Sequence, residues 1–239
     1  MILPLVFALL LAPPPPDRSA EKSLRDLFDA VSSARNYELQ MANGERIAKD
    51  GPFYAGESVT LTRKEAEYRL DTESYWGGGL IVVFDGKQML IDPLDDSQPA
   101  VLRDPCKLFD AHGSLAARGG WHTSPLYYMI EGKAGFDALV PATSPITAIK
   151  RDGMDGVHFE VPSSYGKVDC FYKSINGKTL PILIEYTNEG YTPPWMGERS
   201  PDDLQRWNLK WVETGDLPAE LFLTQPAKGV PVSDQRTKK

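Results

Sequence analysis

From Tyr37 onward, large apolar side chains recur at every second position, and no other pattern restricts the fold of this chain more tightly. Val59 and Leu61 alternate with Ser58 and Thr60, and Tyr68 and Leu70 with Glu67, Arg69 and Asp71. Val157, Phe159 and Val161 face one way while His158 and Glu160 face the other; Val168, Cys170 and Tyr172 oppose Asp169 and Lys173. Ile182, Ile184 and Tyr186 continue the theme, and Trp207, Leu209 and Trp211 oppose Arg206, Asn208 and Lys210. Such alternation marks antiparallel strands with one packed face. Asp85-Gly86 and Asn176-Gly177 separate adjacent runs and are hairpin signals, because short hairpin turns need positive φ at their central residues. The run LIVVF at 80–84, after Gly77-Gly78-Gly79, is apolar on both faces.

A mainly β, α+β domain follows. About 9–11 strands in sequential antiparallel order form a sheet long enough that it must curl, so the expected architecture is a strongly curved antiparallel sheet or open half-barrel covered by helices. Ser23 precedes Leu24, Leu27, Phe28 and Val31, which share one helical face, and this helix is predicted to end near Ser33. A helical insertion is predicted over about 104–140, holding Cys106, Leu108, Phe109 and Leu115, then Leu126, Tyr127, Ile130 and Phe136. The polar, Pro-rich stretch from Asn188 to Asp203 is a loop, and the tail at 232–239 is expected to be disordered. A single domain is therefore expected over 21–231.

Residues 2–12, ILPLVFALLLA, are uninterruptedly apolar and run into PPPP. They are too few to cross a hydrocarbon core, which needs about 20, and fit a signal-peptide core of roughly 7–15. Residues 1–20 are read as a signal peptide and Pro-rich spacer, with a cut near Ala20 or an uncleaved anchor as alternatives. Export to the periplasm is the expected localisation.

Chemistry is sparse. The 239 residues carry 26 Lys plus Arg against 33 Asp plus Glu, a net charge of −7, which argues against a nucleic-acid partner. The sequence contains no Gly-x-Ser-x-Gly, no His-Glu-x-x-His and no Gly-rich phosphate loop. His112, His122 and His158 are widely spaced and read as ordinary solvated histidines; Asp92, Asp95 and Asp96 read as an acidic hairpin loop, not a calcium loop. No catalytic residue, metal or cofactor is expected. Cys106 and Cys170 could pair in an oxidising compartment or remain two buried free thiols. What remains is the apolar inventory: Tyr68, Leu70, Phe84, Phe159, Tyr172, Ile184, Trp207 and Trp211 from the strands, with Leu126, Tyr127, Ile130 and Phe136 from the insertion. These either fill a core or line an apolar cavity, since a curled sheet of this length encloses more volume than one face of side chains fills.

The order of YRLD…GGGLIVVFDGKQMLIDP, a central helical insertion, KVDCFYKSINGKTLPILIEY and GDLPAELFLTQPAKGV resembles the superfamily of periplasmic carriers of outer-membrane lipoproteins (LolA/LolB-like). The resemblance rests most on Phe84-Asp85-Gly86-Lys87, on Leu180-Pro181, and on Leu217 to Phe222 followed by Pro226. It implies a half-barrel of roughly eleven strands whose concave face holds lipid or lipoprotein acyl chains, without catalysis. A monomer is expected, with the segment 104–140 as lid. An envelope sensor or protein-interaction module, with an envelope protein as partner, is the alternative within the same fold.

Overall fold

The computed structural model describes residues 18–46, 51–74, 78–94, 98–107, 125–161, 166–187, 204–226 and 228–237. The apolar leader, residues 108–124 of the insertion, the loop 188–203, and Asp95, Asp96, His112 and His122 lie outside them.

The chain opens with helix α1 (Arg18–Ser33) and continues through a meander of six strands: β1 (Tyr37–Arg46), β2 (Tyr54–Lys64), β3 (Glu67–Ser74), β4 (Gly79–Phe84), β5 (Met89–Pro93) and β6 (Ala100–Arg103). Two short helices follow, α2 (Pro125–Ile130) and α3 (Gly132–Leu139). A second meander contains β7 (Thr147–Arg151), β8 (Met154–Val161), β9 (Gly166–Ile175), β10 (Lys178–Tyr186) and β11 (Leu204–Glu213). A 3-10 turn (Ala219–Phe222) and β12 (Val232–Asp234) complete the described elements.

All twelve strands form one sheet, ordered β12-β6-β5-β4-β3-β2-β1-β11-β10-β9-β8-β7. The two meanders join where β1 pairs antiparallel with β11, from Tyr37 opposite Glu213 to Arg46 opposite Leu204. The sheet is open, ending at β12 and β7. Laid flat, twelve strands would span roughly 50 Å. Yet residues from both ends, such as Met89 and Val101 on one side and Val157 and Phe159 on the other, share a single core cluster with α1, α2 and α3. Only a curled sheet can bring them together.

Helix α1 supplies the centre of that core. Leu24, Leu27, Phe28 and Val31 are fully buried, as their spacing requires. Phe28 meets Phe136 of α3 edge to face at 5.4 Å, and the Arg25 guanidinium lies 3.9 Å from the centroid of the same ring. The helix begins at Arg18, earlier than expected, and Ala20 is 1% exposed within the core. Arg18 to Ala20, assigned above to the export segment, are part of the folded helix.

LIVVF is apolar on both faces because both faces of β4 are covered. Leu80 and Val82 enter the main core. Val83 instead joins Leu90, Ala100 and Phe222 in a second cluster, with Ile81, Leu217, Leu221 and Val230 packed against it. The chain after β11 therefore crosses the convex side of β4–β6.

Three expectations are corrected. The strand count is twelve rather than nine to eleven, because β6 is only four residues long, β7 is an exposed edge strand of weak alternation, and the tail adds one more. The described part of that tail is held against the sheet: Val232, Ser233 and Asp234 pair in parallel with Ala100, Val101 and Leu102, and Arg236 donates to Gln88 Oε1 at 2.8 Å. Backbone pairing, which needs no apolar side chain, holds it. The helical insertion is not helical throughout, since 104–107 has no regular structure and the described helices begin at Pro125. Of the two alternatives for the cysteines, the structure contains two thiols: half-buried Cys106 lies 3.9 Å from the sulfur of Met89 on β5, and Cys170 is buried on β9 between Val157 and Ile184.

Gly135 lets α3 fold back on α2, since a Cβ there would fall on the Tyr128 carbonyl oxygen. Gly135→Ala is expected to cost about 1–3 kcal/mol or more, read as a lowered midpoint of thermal unfolding by circular dichroism. On β2, Glu57 shares the inward stripe with Val59 and Leu61, is 4% exposed, and neither carboxyl oxygen has a hydrogen-bond partner among the described residues. Burial pushes its carboxyl up to about 8, so it is mostly neutral at pH 7. The folded state keeps a proton that the unfolded chain releases above about pH 4.3. This contribution to stability is complete below that pH and declines as pH rises toward 8, by at most about 1.4 kcal/mol per pH unit. Glu57→Gln is expected to flatten the fall in thermal midpoint between pH 5 and 8.

Candidate functional site

The period-2 geometry of β1–β5 sets one row of side chains across the inner face, close to where α2 ends. Tyr37 on β1 stands opposite Arg63 on β2, Arg63 opposite Tyr68 on β3, Tyr68 opposite Phe84 on β4, and Phe84 opposite Met89 on β5. Beside this row lies a cleft of about 320 Å³, lined by Arg63, Ala66, Tyr68, Phe84, Pro105, Cys106, Lys107, Ile130 and Glu131. Its floor is apolar, the Tyr68 and Phe84 rings lying 5.3 Å apart. Charged groups surround that floor.

Arg63 ties sheet to helix: its Nη1 donates to the Ile130 carbonyl at the end of α2 at 3.3 Å. Its Nε and the hydroxyl of Tyr68 are buried without a hydrogen-bond partner among the described residues. Burial, with Glu131 and Cys106 near, raises the Tyr68 phenol well above its ordinary value, although Arg63 opposes the shift. The hydroxyl therefore stays protonated and can act as a donor. Burial also raises the Tyr37 phenol, against the pull of the facing Arg63 guanidinium.

All twelve side chains expected to line a cavity converge on one apolar cluster. Tyr68, Phe84 and Ile130 reach the cleft. Leu70, Leu126, Tyr127, Phe136, Phe159, Ile184 and Trp207 are buried in the cluster, and Tyr172 and Trp211 pack against it half-exposed. Where Phe28, Met129 and Leu139 of the helices meet Phe159, Val168, Cys170 and Ile184, no room for a water molecule remains. The Trp207 indole donates to the Tyr186 hydroxyl at 3.2 Å, so even the polar atoms there are mutually engaged.

Sequence reasoning missed Arg63, Lys107 and Glu131. For Arg63 the signal was present: extending the Val59, Leu61 alternation by two residues places a guanidinium on the buried face. Lys107 lies in the irregular stretch 104–107 and Glu131 in the turn between α2 and α3, and neither carries such a periodic mark. Of the residues considered for metal or acid-base chemistry, His158 bonds Asp169 at 2.7 Å through Nδ1, away from the cleft, and Asp92 lies on β5.

No protein-family model matches the chain, and no curated protein matches it. Among solved structures it is similar to a LolA-superfamily protein from Nitrosomonas europaea, at 12% identity and a TM-score of 0.42, over 85% of this chain and 97% of that one. It is likewise similar to the lipoprotein LppX of Mycobacterium tuberculosis, at 10% identity and a TM-score of 0.42, over 84% of this chain and 100% of that one. A further similarity is to the Pseudomonas aeruginosa MucA/MucB complex, at 15% identity and a TM-score of 0.41, over 85% of this chain and 60% of that one.

Proposed function

We propose that the protein is an exported, non-catalytic binding protein that holds lipid or lipoprotein acyl chains against its concave face for transit across the periplasm. The observation that carries this reading is the cleft of about 320 Å³, whose apolar floor of Tyr68, Phe84 and Ile130 continues directly into the main core. The driving force is partition, since apolar surface removed from water contributes about 25 cal/mol per Å². No step of the function requires bond chemistry.

The cleft accepts only part of a long chain. Deeper insertion requires α2 and α3 to lift from the sheet. Six and eight residues long, they are too short to hold their helical form without tertiary contacts. The Arg63 to Ile130 hydrogen bond ties them to β2. They are the lid in this reading, and the expected cavity residues deeper in the cluster become accessible only when it opens.

A second reading, an envelope sensor or protein-interaction module, is favoured by the filled interior where α1–α3 meet β8–β10. Titration of delipidated protein with a fluorescent fatty acid or a lipopeptide separates the two. Saturable binding is expected. Phe84→Ala, at a half-buried position that spares the deep core, is expected to weaken it by about 1.5–3 kcal/mol, or tenfold and more. Absence of saturable binding removes the carrier reading, and a protein captured from an envelope fraction without bound lipid then supports the second.

A further inference from the structure

The convex face carries an arginine cluster. Gly44 on β1 and Arg206 on β11 stand opposite each other, one residue out of step with the buried, inward Asn43 and Trp207, so they belong to the outer side of the sheet. Phe53 lies on Gly44, where a Cβ would come 3.4 Å from its ring. The Arg206 and Arg46 guanidinium carbons stand 3.9 and 5.3 Å from the centroid of that ring, hence no more than about 9 Å from each other. Arg206 Nε also donates to Glu185 Oε1 at 2.6 Å and Arg151 Nη1 to Glu185 Oε2 at 2.7 Å, while the Arg151 guanidinium covers Phe171 at 4.2 Å. Glu185 is sealed beneath the two arginines, which are themselves about one-third exposed.

Three guanidinium groups thus share one carboxylate. Arg206 and Arg151 divide Glu185 between them, and Arg46, stacked on Phe53, has no hydrogen-bond or ion-pair partner among the described residues. Two positive charges are left over on this patch, in a chain whose net charge is −7. Stacking on an aromatic face fixes the plane of a guanidinium and leaves its N–H edge for a carboxylate, which it can grip with two parallel hydrogen bonds. The sign and the stacking together point to carboxylates as the complement.

Spacing narrows the partner further. In an extended chain, alternate side chains fall on one face about 7 Å apart, which lets two carboxylates meet Arg46 and Arg206 at once. A flat anionic bilayer is a poorer complement, because Asp169, opposite Glu185 on β9 and bonded to His158 at 2.7 Å, and Glu160 on β8 project from the same outer face. We infer that this patch docks an acidic segment of a partner protein, bound extended with carboxylates at alternate positions on Arg46 and Arg206. It lies on the opposite side of the sheet from the cleft, so an acyl chain and such a partner do not compete for the same face.

Fluorescence anisotropy of a labelled, end-blocked peptide of alternating threonine and glutamate, about eight residues long, titrated with the full chain, tests this. Saturable binding is expected, weakening several-fold as salt is raised. The same peptide with glutamine for glutamate should bind at least about tenfold less tightly, and vesicles of phosphatidylglycerol should retain no protein. Arg46→Gln is expected to lower affinity about tenfold, the loss of one charge-assisted contact. Arg46→Lys, which keeps the charge without the planar fork, should lower it about threefold. Should circular dichroism show Arg46→Gln unfolded, Arg46→Lys decides. Equal binding of the two peptides, a folded Arg46 variant that binds like the parent, retention by the vesicles, or no saturable binding of the acidic peptide overturns the docking surface.

Discussion

Everything in this fold depends on the burial of one helical stripe. Leu24, Leu27, Phe28 and Val31 of α1 carry no exposed surface to speak of, and each contributes on the order of 1.5–3 kcal/mol. A helix of 16 residues is about 24 Å long, half the width of the flat sheet it must serve. Apolar residues from ten strands can reach it only if the sheet bends around it. The curl is therefore the condition under which inward residues of β5 and β8 leave water together. Helix α3 joins through Phe28, Arg25 and Phe136, which fixes it against α1.

Strand β2 carries the polarity of the concave face. Its inward positions read Glu57, Val59, Leu61 and Arg63, with the two charged residues about 20 Å apart. Glu57 is sealed and mostly neutral at pH 7, its carboxyl pushed up to about 8; the Arg63 side chain lines an open cleft. The inner surface is thus apolar in the middle, neutral at one end and cationic at the other. A ligand with a head and a tail would meet an oriented groove, not a uniform one.

Much of the fold was legible because period-2 alternation and the turn residues act locally. Asn176 and Gly177 both adopt positive φ between Ile175 and Lys178, as their dipeptide requires. The doubly apolar LIVVF announced that both faces of β4 are covered, without saying by what; the partner, Phe222 and its neighbours, lies far along the chain. The tail strand was invisible, because Val232, Ser233 and Asp234 pair through their backbone and remain largely exposed. The side chains expected to line a cavity share one apolar cluster, but parity cannot tell a filled interior from an empty one. That difference is made by helix packing, where Met129 and Leu139 close on Phe159. Arg63 was the legible residue left unread, a charge on a buried stripe.

The join between β1 and β11 also governs how the molecule can be made. Each meander is a series of neighbours in sequence and can zip hairpin by hairpin, closing short loops at small entropic expense. The ten residues of β1, however, find their second partner only after more than 150 intervening residues, and β6 waits comparably long for β12. Topologies dominated by such distant pairings fold slowly, with strand edges open in the interval. The edges at risk are those of β1 and β6, and a chain truncated before Leu204 would leave both exposed for association with other chains.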